Sequence, residues 1–345
     1  MKNELNSVSP AHAQRIVAAA ARKNLPVLLL GTPGIGKTAV VEAAARDIGY
    51  QYRALYPTDM DPVDLGGLPM PVGDRVRRVL DDELASLCEP ECEPTLLLVD
   101  ELGQAAPSMQ AAVAKLFHAR TLAGRKISDN VAIVAASNRA QDRAGAGHIL
   151  SHIISRMASV LDVRADLDSW TIWARDAGVD PVVRAFLAWR GELLDKFDAA
   201  AAASSHAYPC PRSWERAGAL CALHLGDDDL TPALAGCVGD GAAMEFVAFR
   251  RGAAKIDFEK IMGAGTVHLP TAIDMLYAIS VGVGMRMRTD ATIRRGLDIV
   301  EKLSKETPEF AVLTLRESAS WPGWTGHKAV AEALNGPIGD LLRAI

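Results

Sequence analysis

Apolar positions in the first half of the chain come in short runs that end in polar or glycine-rich turns, whereas in the second half they recur at helical spacing. Val27–Leu30, the run inside Thr95–Asp100 and the stretch Val131–Ser137 read as buried strands of a parallel sheet. Gln51–Leu55 adds a strand, and Ser159–Val163 reads as the edge strand that closes the sheet. Helices are expected between them at Pro10–Lys23, behind a Ser9 cap, and at Ala39–Asp47, Asp81–Leu87 and Ser108–His118. Strand–helix alternation followed by helix alone predicts an α/β fold: a parallel sheet flanked by helices, then an all-α lid and an α-helical C-terminal tail. The expected domains are 1–165, 166–255 and 256–345.

Two stretches interrupt the alternation. Leu68–Leu80 reads as a hairpin turning at Gly73 and Asp74, and Ala119–Asn130 as a second turning at Gly124. Between strand and first hairpin, Thr58–Met70 holds enough Asp, Pro and Gly to exclude a regular element. In the helical half, Trp170, Trp173, Ala174, Val182, Phe186 and Leu187 form apolar stripes that suit a core. DAAAAASS at Asp198–Ser205 reads as a flexible link. Helices are expected at Leu269–Arg286 and Ala291–Leu303, at Pro308 behind Thr307, and at Lys328–Leu342 after a turn at Trp321–Trp324.

Composition narrows the class. A chain of 345 residues with 49% apolar content buries a sizeable core. Its 37 basic and 42 acidic residues give a net charge of −5, so no overall positive field draws it to nucleic acid or to an anionic membrane. No apolar run approaches the length of a membrane span. Five cysteines make no disulfide framework, Cys88 and Cys92 lack a second ligand pair for zinc, and the polar start MKNELNSVSP lacks a signal-peptide core; a reducing cytoplasm is expected.

The chemistry concentrates where strands end. Leu25–Thr38, LPVLLLGTPGIGKT, runs from a strand into the spacing G-x-x-x-x-G-K-[ST]. Glycines at Gly31, Gly34 and Gly36 let successive N–H groups curl around an anion without a Cβ in the way. The loop Gly31, Thr32, Pro33, Gly34, Ile35, Gly36, Lys37, Thr38 and Ala39 is therefore the expected binding site for ATP. Lys37 reaches the β and γ phosphates, the Thr38 hydroxyl holds Mg²⁺, and the following helix aims its positive dipole end at the phosphates. Asp100, ending a strand, is the second expected Mg²⁺ ligand, and Glu101 is placed to take a proton from an attacking water. An acidic pair capping the next helix is the alternative. Asn138, at another strand end, suits orienting that water; a plain turn asparagine is the alternative. Arg75, Arg77 and Arg78 on the first hairpin suit either a solvated edge strand or a grip on phosphates.

Taken together, GTPGIGKT, LLLVDE, AIVAASNRAQD, ILSHIISRM and YPCPRSWE follow one another in a way that resembles AAA+ ATPases, and most nearly the MoxR branch with its dynein-related ATPase domain. The resemblance covers about Ala11–Leu220. It implies a P-loop AAA+ fold in which Asn138 is sensor 1, Arg156 is the arginine finger reaching a neighbour's nucleotide, with Arg143 as the other candidate, and Arg212 is sensor 2. It also implies a homo-hexameric ring that turns ATP hydrolysis into chaperone-like remodeling, often of a partner carrying a von Willebrand A domain, with both hairpins facing the pore. Arg139 departs from the pattern, standing where many relatives have proline, and is expected to approach phosphate itself. A nucleic-acid motor and a small-molecule kinase are the readings from other classes, disfavoured by the net charge and by the water-positioning pair Glu101 and Asn138.

Overall fold

The computed structural model describes residues 5–142, 147–198, 207–223, 225–263, 265, 269–324 and 326–343. The chain divides into two compact units, Met1–Ser169 with Phe197–Ser205, and Trp170–Lys196 with His206–Ile345.

In the first unit the strands are β1 (Ser7–Val8), β2 (Val27–Leu30), β3 (Gln51–Leu55), β4 (Leu68–Val72), β5 (Arg75–Val79), β6 (Thr95–Val99), β7 (Thr121–Leu122), β8 (Arg125–Lys126), β9 (Val131–Ser137) and β10 (Ser159–Val163). The helices are α1 (Pro10–Ala21), α2 (Lys37–Ile48), α3 (Pro62–Gly66), α4 (Asp82–Ser86), α5 (Pro107–His118) and α6 (Ser151–Ile154). Six strands pair in the order β1-β10-β2-β9-β6-β3, and every pairing is parallel. Side chains alternate across the sheet. Val27 and Leu29 pack with Val17, Val41 and Ala44 of α1 and α2 on one face, while Leu28, Leu97 and Ile133 pack with Met109, Val113 and Leu116 of α5 on the other. Helices on both faces explain why the central strands read as continuous apolar runs.

Two expectations are corrected here. β10 is not an edge, because Asn6 accepts a hydrogen bond from the Asp162 N–H at 2.9 Å and β1 pairs outside it. The polar start hid a strand too short to show a period. Thr58–Met70 is not wholly irregular either, since it contains α3, with Pro62 at its first position and the Asp64 carboxylate accepting from Asp61 N–H at 2.8 Å.

The first hairpin, β4–β5, turns at Gly73, whose φ is 62°. All ten of its strand residues are exposed, Val76 to 68%. Its base is tied down: Arg78 donates to the Gly66 and Gly67 carbonyls at 3.2 Å each, and Ala123 N–H, in the β7–β8 turn, donates to Leu65 O at 2.9 Å. Gly67 has φ 75°, and a Cβ there would stand 2.8 Å from the Ala123 Cβ, so only glycine fits.

The second unit is helical. Phe186, Trp214, Phe246 and Phe249 cluster with ring centroids 5.3–5.7 Å apart, and the Trp214 indole donates to Leu193 O at 2.7 Å. A further core gathers Leu276, Val283, Ile293, Val300, Phe310 and Leu315. Trp170 and Trp324 are buried, while Trp173 is partly exposed. The expected last helix is two, Lys328–Ala333 and Gly339–Arg343, broken at Asn335-Gly336-Pro337. Ile273–Arg286 starts later than expected, past Pro270. The proposed flexible link from 199 onward lies outside the described residues. No helix among the described residues is long and apolar enough to cross a membrane.

Candidate active site

β2, β6 and β9 are adjacent, and their carboxyl ends deliver Gly31, Asp100 and Asn138 to one edge of the sheet. After β2 the chain turns through Gly34 (φ 78°) and Gly36 (φ 99°), backbone angles that a side chain resists. A Cβ on Gly31 would meet the Val163 carbonyl at 2.8 Å, so the loop is pressed against the end of β10. Helix α2 begins at Lys37, with the left-handed Gly36 as its cap, which aims its unpaired N–H groups back into the loop.

Lys37 is 9% exposed, and its Nζ donates to Gly31 O at 2.9 Å, Thr32 O at 3.1 Å and Asn138 Oδ1 at 2.8 Å. Thr38 Oγ1 donates to Asp100 Oδ2 at 2.8 Å. Asp100 is buried, and its other oxygen accepts the Glu101 N–H at 2.8 Å. Glu101 is exposed with φ 54°, a strained angle for a residue with a side chain, costing on the order of 1–3 kcal/mol. The turn is stitched to β9 by Ser137, whose hydroxyl accepts Gly103 N–H and donates to Asn138 O, both at 3.0 Å. Gly103 must lack a side chain, because a Cβ would lie 2.5 Å from that hydroxyl.

The residues present fit a nucleotide and a hard divalent cation. The glycine cradle leaves room for phosphate, and Thr38 and Asp100 offer a hydroxyl and a carboxylate side by side, the oxygen donors Mg²⁺ prefers. Bound there, Mg²⁺ would neutralise charge on the β and γ phosphates.

Structure and expectation diverge at Arg139. It does not lie free for phosphate: its Nε and Nη2 each reach Asp162 Oδ1 at 2.5 Å, and Nη2 also donates to Val163 O at 3.3 Å. Nearby Asp142 is buried with one carboxylate oxygen lacking a hydrogen-bond partner among the described residues. Burial pushes its carboxyl above the ordinary carboxylate value, against the pull of Arg139 and Lys37. Sequence reading passed over Asp142 and Asp162. The only signal was an acid at an apolar strand position in SVLDV, and its partner Arg139 is 23 residues away.

Arg156 follows α6 in the first unit. It donates through Nη1 to the His152 carbonyl, and its buried Nε has no hydrogen-bond partner among the described residues. Arg212 is exposed in the first turn of the helix Pro211–Cys221, in the second unit. Arg143 lies outside the described residues. The structure thus brings Lys37, Thr38, Asp100 and Asn138 into contact, with Glu101 next in chain.

A six-stranded parallel sheet whose strand ends carry a phosphate loop, a buried acid and an asparagine bonded to the loop lysine defines a P-loop nucleotide hydrolase. A family model described as ATPase family associated with various cellular activities (AAA) matches residues 27–164, so this stretch is an AAA ATPase domain and the protein is an ATP hydrolase. No curated protein matches the sequence. Among solved structures it is similar to the Thermotoga maritima RuvB Holliday junction branch migration motor, at 15% identity over 88% of this chain and 86% of that one with a TM-score of 0.38. An alanine-to-serine mutant of that protein gives 16%, 88%, 86% and 0.39. Likeness at this level has no bearing on function.

Proposed function

We propose that the protein is a MoxR-type AAA+ ATPase that assembles as a homo-hexameric ring and couples ATP hydrolysis to remodeling or activation of a protein partner. The observation carrying the hydrolytic part is the pair of contacts Thr38–Asp100 and Lys37–Asn138, both at 2.8 Å, which join the loop to two other strand ends. In this reading the loop from Gly31 to Ala39 holds ATP, and Thr38 and Asp100 hold Mg²⁺. Glu101 takes the proton of the attacking water, and Asn138 orients that water against the γ phosphate. Arg156 acts on a neighbour's nucleotide, Arg212 senses the nucleotide from a lid spanning 166–255, and 256–345 is an extension. The protein works in the cytoplasm with a partner carrying a von Willebrand A domain. What supports remodeling is the exposed β4–β5 hairpin, which the nucleotide site itself does not use.

The test is Glu101→Gln, which keeps shape and removes the base. Hydrolysis should fall by about 10² to 10⁴ while ATP still binds. The ATP-loaded variant should then retain its protein partner in a pull-down from native extract. Turnover within about threefold of the native protein would remove Glu101 from its role. The competing nucleic-acid motor draws on the exposed Arg75 and Arg77. ATPase activity that rises with DNA and falls steeply with salt would favour it.

A further inference from the structure

We infer that Arg139 is a positioning residue for ATP hydrolysis, fixing the turn that presents Asn138 by clamping it to the end of β10. The inference rests on the reading of Asn138 as the group that meets the γ phosphate.

The geometry is that of a built joint. The Asp162 side chain is buried, 7% exposed, and that of Arg139 is part-buried at 13%. Two arms of one guanidinium reach one carboxylate oxygen at 2.5 Å, while the other oxygen accepts from Arg164 at 2.8 Å. Asp162 therefore keeps a cation even when Arg139 is lost. The carbonyl of the next residue, Val163, is shared: it accepts from Arg139 and abuts Gly31, where any Cβ would come within 2.8 Å. Hence one short stretch of β10 touches both the phosphate loop and the residue directly after Asn138, and the distance between loop and sensor is set through it.

The fork of Arg139 on Asp162 makes the turn after Asn138 rigid. A guanidinium does this better than an ammonium, because its planar arms fix direction as well as charge. Such positioning matters because a displacement of about 1 Å at a reacting group lowers rate about 10²-fold without removing any catalytic atom.

The experiment compares Asn138→Ala, Arg139→Gln and Arg139→Lys in the full chain, measuring kcat and, by calorimetry, the Kd for ATP, with melting temperature as a check on folding. Arg139→Gln should lower kcat about tenfold or more while the Kd stays within about threefold, and Arg139→Lys should recover part of the loss. Should Arg139→Gln fail to fold, Asp162→Asn must show the same split between kcat and Kd. A slow Asn138→Ala beside Arg139 variants of native kcat overturns the positioning role alone. If Asn138→Ala itself turns over at the native rate, the reading of Asn138 falls and this inference with it. Equal losses in kcat and affinity make Arg139 a structural residue and also overturn the proposal.

Discussion

Lys37 and Arg184 are both buried cations, 9% and 4% exposed, yet their surroundings differ in kind. Lys37, in the nucleotide unit, donates to two carbonyls and an amide, acceptors that carry no formal charge. Arg184, in the helical unit, is met by both oxygens of Glu317 at 2.5 Å, and its Nε donates to Val179 O at 3.0 Å. Glu317 is itself only 4% exposed. Neutral acceptors orient the Lys37 ammonium in the loop, whereas the Glu317 carboxylate balances the charge of Arg184 and joins two helices. The same contrast holds for the acids. Both oxygens of Glu317 are engaged, but Asp142 in the nucleotide unit has one with no hydrogen-bond partner among the described residues. Buried polar atoms without a hydrogen-bond partner occur among the described residues of both units, at Tyr52 and Arg156 as at Trp170 and Ser280, so the contrast belongs to these particular side chains, and it can be broken at three points.

The largest effect is expected at Arg156, whose buried Nε is likewise unpartnered among the described residues. A guanidinium acting across a subunit boundary contributes on the order of 10³ or more in rate, so Arg156→Ala should fold, bind ATP and turn over very slowly. Lys37→Ala should lose ATP binding altogether. Mixed rings of the two variants should regain activity, because some interfaces then pair an intact loop with an intact arginine. Steady-state ATPase of verified mixtures checks this, and no recovery would argue against an arginine acting in trans.

The second point is the helical unit. Glu317→Ala strands a buried guanidinium and should destabilise the protein by about 3–5 kcal/mol, read in denaturant unfolding. Replacing the pair together, Arg184→Met with Glu317→Leu, should restore most of that, because a buried ion pair is often no better than well-packed apolar groups. Nucleotide affinity should be unchanged in the double variant. If the double variant is as unstable as the single, the pair does more than staple helices.

The same contrast explains what could be read in the sequence. The placing of the phosphate loop, Asp100 and Asn138 at strand ends was legible because a local apolar run announces each strand and where it stops. The β4–β5 hairpin was legible from Gly73 and Asp74. What stayed hidden depends on long-range pairing. Arg139 meets Asp162 across 23 residues, and Arg184 meets Glu317 across 133. Nothing local distinguishes those arginines from solvated ones. β1 was missed because two residues show no alternation, and α3 because capping by Asp61 and Asp64 outweighs its poor helix formers.

The smallest effect is expected at Asp142, and its sign is opposite to that at Glu317. Burial raises its carboxyl pKa above the ordinary 3.8, although Arg139 and Lys37 pull the other way. The folded protein therefore holds this proton more tightly than the unfolded chain does. Below the ordinary value both states are protonated and the group favours folding fully; as pH rises through the folded value that contribution is lost. Asp142→Asn removes the ionisation, so it should raise the melting temperature at pH 7, with the gain shrinking as pH falls toward 4. This is opposite to the loss expected at Glu317, although both are buried acids. Melting curves of the native protein and the variant between pH 4.5 and 8 decide it. A variant less stable than the native protein at pH 7 would mean that Arg139 and Lys37 outweigh burial at Asp142.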